Sequence, residues 1–429
     1  MRPRWWFLPS IASLFGLAVP TAEAQDGQRS VTTAPATGRG FTLEAALSAM
    51  HRSHPLLRAA TSSIRVAEGN ALTAGHWSNP ILDASYVQAA RNSGYDPVGT
   101  LAAGITQFLE LTGAPAARRR SGEAEVRATT ADRTGLALDL EWAVREAFIR
   151  LAATHERQRI RQEAFAELER AATTVGLRVA SGMAPRYDAS RIRIALEQAR
   201  ADIGESEADS ARARGDLDVA VGPAAADLTG TPKIDVTDAP SVPALSVLLD
   251  IARTRRPDVV AARQRTEAAS FDIDVAKRLV FPGIGIRLGA GYGQSPGQVD
   301  LGVAVVAALP IIERGQGTVL AAEARREGRR QVAEALSTAA MQRVHAAHEE
   351  LAKRAEVLTR FRAETSALND GMRLEAQAGY REAKLSVLEL VDAYQSLRDV
   401  RLRLVDLNEA VHLAKAALDR AVGAETITP

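Results

Sequence analysis

His345 and His348 lie one helical turn apart, and Glu349 and Glu350 follow directly. Imidazoles and carboxylates at such spacing can hold a metal ion. The glutamates come after the second histidine, however, which is not the zinc-protease order, and a solvated helix face accounts for all four. Residues 283–293 are rich in glycine but lack the lysine and the strand–helix setting of a phosphate loop. Cysteine is absent, which removes disulfides, thiolate metal sites, cysteine nucleophiles and lipoprotein anchoring. No nucleophile, base and orienting group converge in sequence, so no enzyme is expected, and neither is a cofactor or a metal site. Arg118-Arg119-Arg120 is followed at once by Glu123 and Glu125. With 53 Lys+Arg against 52 Asp+Glu, the net charge of +1 gives no bulk reason to bind nucleic acid.

What remains is a pair of short turns between long helical stretches. The first reads Gly182-Met183-Ala184-Pro185-Arg186-Tyr187-Asp188, and the second Ala383-Lys384-Leu385-Ser386-Val387-Leu388-Glu389. A constant offset places Gly182 on Ala383 and Asp188 on Glu389.

The elements that position these turns come from a duplication. Leu43, Pro55, Ala59, Ala60, Ala67, Ala74 and Pro80 recur, about 202 positions on, as Leu245, Pro257, Ala261, Ala262, Ala269, Ala276 and Pro282. Gly113 and Gly315 keep that offset, and Ala220-Val221-Gly222 returns as Ala421-Val422-Gly423 after a one-residue slip. The expected organisation is a signal peptide over 1–24, a flexible leader over 25–40 and a first repeat over 41–222. A linker or equatorial strap over 223–244 carries Pro223, Pro232, Pro240 and Pro243. A second repeat over 245–423 and a tail over 424–429 complete the chain.

The first segment is an address. Arg2 and Arg4 precede an apolar run from Trp5 to Val19, and Ala22-Glu23-Ala24 offers a small-x-small cleavage site before Gln25. The run is short for a spanning helix, and no later window could cross a membrane as a helix.

Each repeat reads helix, strand, turn, strand, very long helix, turn, long helix. Hydrophobic content is 46% and aromatic content only 4%, which favours thin, closely packed helices over a thick core. Leu390, Leu397, Leu404, Val411 and Leu418 lie seven apart, with Ala393, Val400, Leu407, Ala414 and Ala421 offset by three. The first half repeats this seam as Ala189, Leu196, Ile203, Ser210 and Leu217 with Ile192, Ala199, Ser206, Ala213 and Ala220. The proline-poor stretch from Ala114 to Val179 predicts a helix about 100 Å long, which must pair along its length.

The strands are expected at about 80–90, 100–110, 282–292 and 299–309. Ile284, Ile286, Leu288, Ala290 and Tyr292 alternate with Gly283, Gly285, Arg287, Gly289 and Gly291. Val299, Leu301, Val303, Val305, Ala307 and Leu309 alternate with Asp300, Gly302 and Ala304. The first half follows with Leu82, Ala84 and Tyr86, then Leu101, Ala103 and Ile105. The turns 92–97 and 294–297 read as hairpins. About ten residues is the length of a tilted membrane strand. Four strands leave open edges, which lipid does not tolerate, so the chain must oligomerise. Three copies would give twelve strands and an open lumen.

The ordered set of motifs resembles the TolC-like outer-membrane efflux proteins (outer membrane factors), in particular the CzcC-type branch that works with heavy-metal exporters. It comprises Phe41-Thr42-Leu43-Glu44-Ala45-Ala46, His54-Pro55, Ser78-Asn79-Pro80, Arg256-Pro257-Asp258, Leu309-Pro310-Ile311, Arg314-Gly315-Gln316-Gly317 and Ser386-Val387-Leu388-Glu389-Leu390-Val391-Asp392-Ala393. The resemblance implies an α+β, mostly α fold: a homotrimer whose twelve-stranded outer-membrane β-barrel continues as a periplasmic α-helical barrel. It implies the exit duct of a tripartite pump, partnered by a periplasmic adaptor protein and an inner-membrane RND-type transporter. Metal cations are the expected cargo, and multidrug export by the same fold the alternative. A periplasmic coiled-coil structural or adaptor protein is a second alternative.

On the same resemblance, Asp188, Tyr380, Glu389 and Asp392 fall at the periplasmic aperture. Gly182, Met183, Ala184, Ala383, Lys384, Leu385 and Ser386 fall on the tips that meet the adaptor. Alanine at 383 replaces the family's usual glycine, and Leu385 stands where some members carry an arginine. Arg186, Arg381 and Lys384 are the candidates to close the network instead. Threefold symmetry would bring the Glu389 and Asp392 carboxylates towards one axis, where they would favour cations. The competing reading makes Glu389 and Asp392 solvated helix-face charges and Tyr380 ordinary packing.

Overall fold

The computed structural model describes residues 40–88, 99–232, 242–281, 283–292 and 298–424, except the side chains of 366–370. These residues belong to one unit, Arg39–Pro429. The expected signal peptide, nearly all of the leader, both hairpin turns and most of the tail lie outside the described residues.

Two helices rather than one open each repeat. In the first they are α1 (Leu43–Ser53) and α2 (Pro55–Ala74). Proline disfavours helical geometry in the residue before it. His54 is accordingly extended, with ψ 123°, and its ring accepts the Leu56 amide to cap α2. Pro55 sits at the first helical position, where its missing N–H costs nothing.

Strands β1 (Ile81–Gln88) and β2 (Gly99–Leu109) lead into α3 (Ala114–Ala180), a 67-residue helix. Helix α4 (Arg186–Val221) returns along it, and a short 3-10 helix spans Pro223–Asp227. The second repeat follows as α5 (Leu245–Arg255), α6 (Pro257–Arg278), β3 (Ile284–Tyr292), β4 (Val299–Ala307), α7 (Gln316–Arg381) and α8 (Val387–Val422). The fold is mostly helical with one small antiparallel sheet. No described helix is long and apolar enough to cross a membrane.

The sheet runs β1-β2-β3-β4. Its register sets Leu82, Ile105, Leu288 and Val303 in one row, and Tyr86, Leu101, Tyr292 and Val299 in another. Directly opposed residues share a face, so one face is almost continuously apolar. That face is bare: Leu82 is 78% exposed, Leu301 84% and Val303 75%. The opposite face carries Asp83, Gly104, Gly289 and Gly302 in a single row.

Helix neighbours follow one order in each half of the length. Nearer the strands α2 packs on α3, α3 on α6, and α6 on α7; towards the turns α4 packs on α3, α3 on α8, and α8 on α7. Both layers end in unpartnered edges. The heptad positions read from sequence are all buried or half-buried. Leu217 and Val221 join one cluster, and their repeat counterparts Leu418 and Val422 another. Small residues allow close approach: a Cβ on Gly122 would stand 2.7 Å from the Ala71 backbone on α2. Polar contacts lace the seams. Arg157 of α3 reaches Asp406 at 2.8 Å and also pairs with Glu409, both on α8. Ser121 of α3 donates to Asp272 of α6 at 2.7 Å.

The strand–helix junctions are fixed by glycine and arginine. Gly113 and Gly315 are left-handed, with φ 75° and 76°, and each precedes its long helix. Arg278 donates to the Thr112 and Gly113 carbonyls at 3.2 and 3.0 Å. Arg118 holds Glu110 with two bonds, of 2.7 and 3.1 Å, and reaches the Ala74 carbonyl at 2.9 Å. The described ends of 223–244 are anchored too. Arg214 donates to the Ala225 and Leu228 carbonyls, and the His348 ring lies 3.0 Å from the Pro243 carbonyl.

Candidate functional site

The two helix–helix turns share one backbone design. After α3, Gly182 is left-handed with φ 74°, and the Met183 and Ala184 amides both reach the Arg178 carbonyl, at 2.8 and 3.2 Å. After α7, Ala383 takes the same role with φ 58°, and the Lys384 and Leu385 amides reach the Gly379 carbonyl at 2.8 and 3.1 Å. Paired bonds of this kind satisfy the last helical carbonyls. Ala383 is the one positive-φ residue other than glycine among the described residues. Leu385 folds back onto Gly379, whose added Cβ would meet it at 2.8 Å. Leu385 is thus a packing residue of the turn.

Left-handed alanine costs about 1–2 kcal/mol, and glycine gives back part of that relief through its freer unfolded chain. Ala383→Gly is therefore expected to stabilise the turn by about 0.5–1 kcal/mol, read as a higher melting temperature of the purified protein.

The helices leaving the turns begin differently. α8 carries a capping box: Glu389 accepts from the Ser386 amide at 2.7 Å and its hydroxyl at 2.8 Å, while the Glu389 amide donates back to Ser386 Oγ at 3.3 Å. Those bonds from the Ser386 backbone and hydroxyl hold the Glu389 carboxyl below its ordinary range. Its carboxylate therefore serves the helix start within the protomer. Asp392, one turn on, is exposed and has no partner among the described residues. Helix α4 follows Pro185 and has no side-chain cap, and Asp188 in its first turn is half-buried.

Tyr380 gathers the four helices. It is 3% exposed, in a cluster with Val175 of α3, Ile192 of α4, and Leu390 and Tyr394 of α8. The Arg178 guanidinium lies 4.9 Å from the Tyr380 ring centroid and donates to the Tyr380 carbonyl at 2.5 Å. The Tyr380 hydroxyl is buried without a hydrogen-bond partner among the described residues. Burial pushes this phenol up, the Arg178 charge opposes the shift, and the Asp188 charge adds to it.

Tyr380, Asp188 and Arg178 are therefore one group, while Glu389 is committed to its cap. Of the cations proposed from sequence, Lys384 pairs with Glu382 at 2.6 Å, and Arg186 and Arg381 are exposed. The cation on Tyr380 is Arg178, which the sequence reading did not single out. Its signal was a basic residue in the last turn of α3, four positions before Gly182. His345 lies 4.0 Å from Glu349, and no cluster of three or more metal-binding side chains occurs among the described residues.

Two long helical hairpins and a four-stranded sheet with a bare apolar face constitute a distinctive frame, and comparison with known proteins finds it elsewhere. Residues 248–424 match the sequence profile of the outer membrane efflux protein family. The cobalt-zinc-cadmium resistance protein CzcC of Cupriavidus metallidurans is 25% identical over 413 residues, 94% of this chain and 95% of that protein. The second half of the chain thus resembles the outer membrane efflux proteins in sequence. The fusaric acid resistance protein FusA of Burkholderia cepacia is 28% identical over 204 residues, 47% of this chain and 38% of that protein. The crystal structure of CusC, described as a transmembrane channel, shares the fold with a TM-score of 0.75 at 20% identity, covering 89% of this chain and 92% of that one. These relatives are named as resistance proteins and a transmembrane channel.

Proposed function

We propose that this protein is the outer-membrane exit duct of a tripartite pump. It passes substrate from periplasm to exterior without chemistry of its own. The observation that carries the reading is the sheet: four strands, two open edges and a bare apolar face. Such a sheet suits lipid only when closed into a barrel. Duplication supplies the closing rule. The α3–α6 seam within one copy is the template for α7 of one copy meeting α2 of the next. Towards the turns, α3–α8 is likewise the template for α7 meeting α4. Three copies give twelve strands, wide enough for a lumen.

In this reading the strands sit in the outer membrane and the helices extend into the periplasm after signal-peptide removal near Ala24. The paired turns face a periplasmic adaptor, with Gly182, Met183, Ala184, Ala383, Lys384, Leu385 and Ser386 as contact positions. An inner-membrane RND-type transporter supplies the energy. Asp188, Tyr380 and Arg178 hold the aperture closed, and Asp392 is the carboxylate free to face the axis. Metal cations are the proposed cargo, supported by the full-length likeness to a cobalt-zinc-cadmium resistance protein. The partial likeness to a fusaric acid resistance protein supports the alternative of small organic cargo.

Deleting the gene and exposing the strain to zinc, cobalt and cadmium beside dyes, detergents and hydrophobic drugs separates the two. Metal sensitivity alone is expected; sensitivity confined to drugs would replace the cargo. Outer-membrane fractions should also yield a trimer that heating converts to monomer. A monomer washed out with periplasm would overturn the duct.

A further inference from the structure

The glycine-lined face of the sheet carries an arginine–carboxylate pair spanning three strands. Arg287 of β3 reaches past β2 to form an ion pair with Asp83 of β1. The strand between them offers Gly104 at the crossing point, and a Cβ there would stand 2.7 Å from the Arg287 Nε. Asp83, Gly104 and Gly289 lie in one row of the register, so the guanidinium rests on bare backbone. Both side chains remain partly exposed, at 40% and 38%. The pair is thus at the surface of this face.

We propose that Arg287 sets the charge of the barrel lumen at the level of Asp83 by cancelling that carboxylate, and leaves Asp300, one row on along the same face, as the charge that remains. This rests on the trimeric-barrel reading, which turns the apolar face to lipid and this face inwards. Three unpaired Asp83 carboxylates at one level would form a ring that binds cations. A conducting pore needs its cargo to leave as readily as it enters. Arg287, laid flat over Gly104, removes the ring's charge without projecting into the path. The specificity element is therefore a neutralised row at Asp83, and it depends on glycine at 104 as much as on the arginine.

The absence of cysteine allows a direct test. Ser85→Cys places a near-isosteric thiol on the same face two residues from Asp83, about 7 Å away along the strand. Ala84→Cys places one on the opposite face. On intact cells, membrane-impermeant cationic and anionic methanethiosulfonates are compared at each thiol. With Arg287 present, Ser85→Cys should react with both, and its cation-to-anion ratio, which includes the pull of Asp300 in the same row, is the reference for the variants. Adding Arg287→Gln should raise the ratio about threefold at physiological salt, Asp83→Asn should lower it by a similar factor, and the double replacement should restore it. Arg287→Lys keeps the charge and should keep the ratio, which preserves the comparison with Asp83→Asn should Arg287→Gln fail to assemble. A ratio indifferent to both Arg287→Gln and Asp83→Asn would overturn the proposal while leaving the barrel intact. Ala84→Cys should resist both reagents. Equal labelling at 84 and 85 would instead overturn the barrel reading, and this inference with it.

Discussion

If the protein is the proposed duct, Arg178→Ala is expected to leave it assembled but leaky at its periplasmic end. Arg178 binds Tyr380 twice, through the ring face and through the carbonyl. A cation–π contact and a charge-assisted hydrogen bond together contribute about 2–4 kcal/mol per protomer. Three copies would act on one aperture, so a closed state favoured by a few kcal/mol would lose its majority. The measurements are single-channel conductance in planar bilayers, expected to rise several-fold, and cellular sensitivity to large antibiotics that the outer membrane excludes. Arg178→Lys keeps the charge but loses the planar fork, and should fall between. Tyr380→Phe discriminates sharply. The Tyr380 hydroxyl has no partner among the described residues, so its removal should leave closure unchanged or firmer. A leak in Tyr380→Phe equal to that of Arg178→Ala would show that the hydroxyl, not the ring and carbonyl, holds the turns together.

That contrast marks where the sequence was informative. The strands were legible because alternation has a period of two and both faces are chemically distinct: Leu288 and Val303 against Gly289 and Gly302. The long helices were legible because a seven-residue repeat leaves no other geometry for Leu390 through Leu418. The break at His54 and Arg256 was not read, although Pro55 and Pro257 announce it, because the apolar pattern continues across the kink. The cluster at the helix turns was harder still. Which cation meets Tyr380 depends on how α3 and α7 align over more than sixty residues each. Arg178 and Tyr380 are 202 positions apart, and only the packing of α3 residues such as Val175 into the Tyr380 cluster brings them together. Glu389 shows the opposite difficulty. Ser386-x-x-Glu389 is a capping-box sequence, and the carboxylate is held by its own helix start. A ring of Glu389 charges would have to compete with two hydrogen bonds already made.

The largest effect on assembly should come from a pair of neighbouring residues that face opposite ways. Val303 lies at the middle of β4 on the apolar face, in register with Leu288. Val303→Arg would place a guanidinium near the centre of the lipid band, at about 2–4 kcal/mol per protomer. Threefold repetition brings the total to a size comparable with the whole stability of an ordinary domain. Gly302 faces the other way, and a Cβ there meets nothing within 4 Å. Gly302→Arg should therefore project into water, at a cost of about 1 kcal/mol or less. Val303→Arg is expected to abolish the heat-modifiable trimer in outer-membrane fractions, and Gly302→Arg to retain it. Adjacent positions share the same strand, register and distance from the hairpin, so local folding cannot separate them. Only the identity of the medium on each side can. Equal loss or equal survival of the two variants would mean that the sheet does not divide lipid from lumen. The open edges at β1 and β4 would then need a different partner.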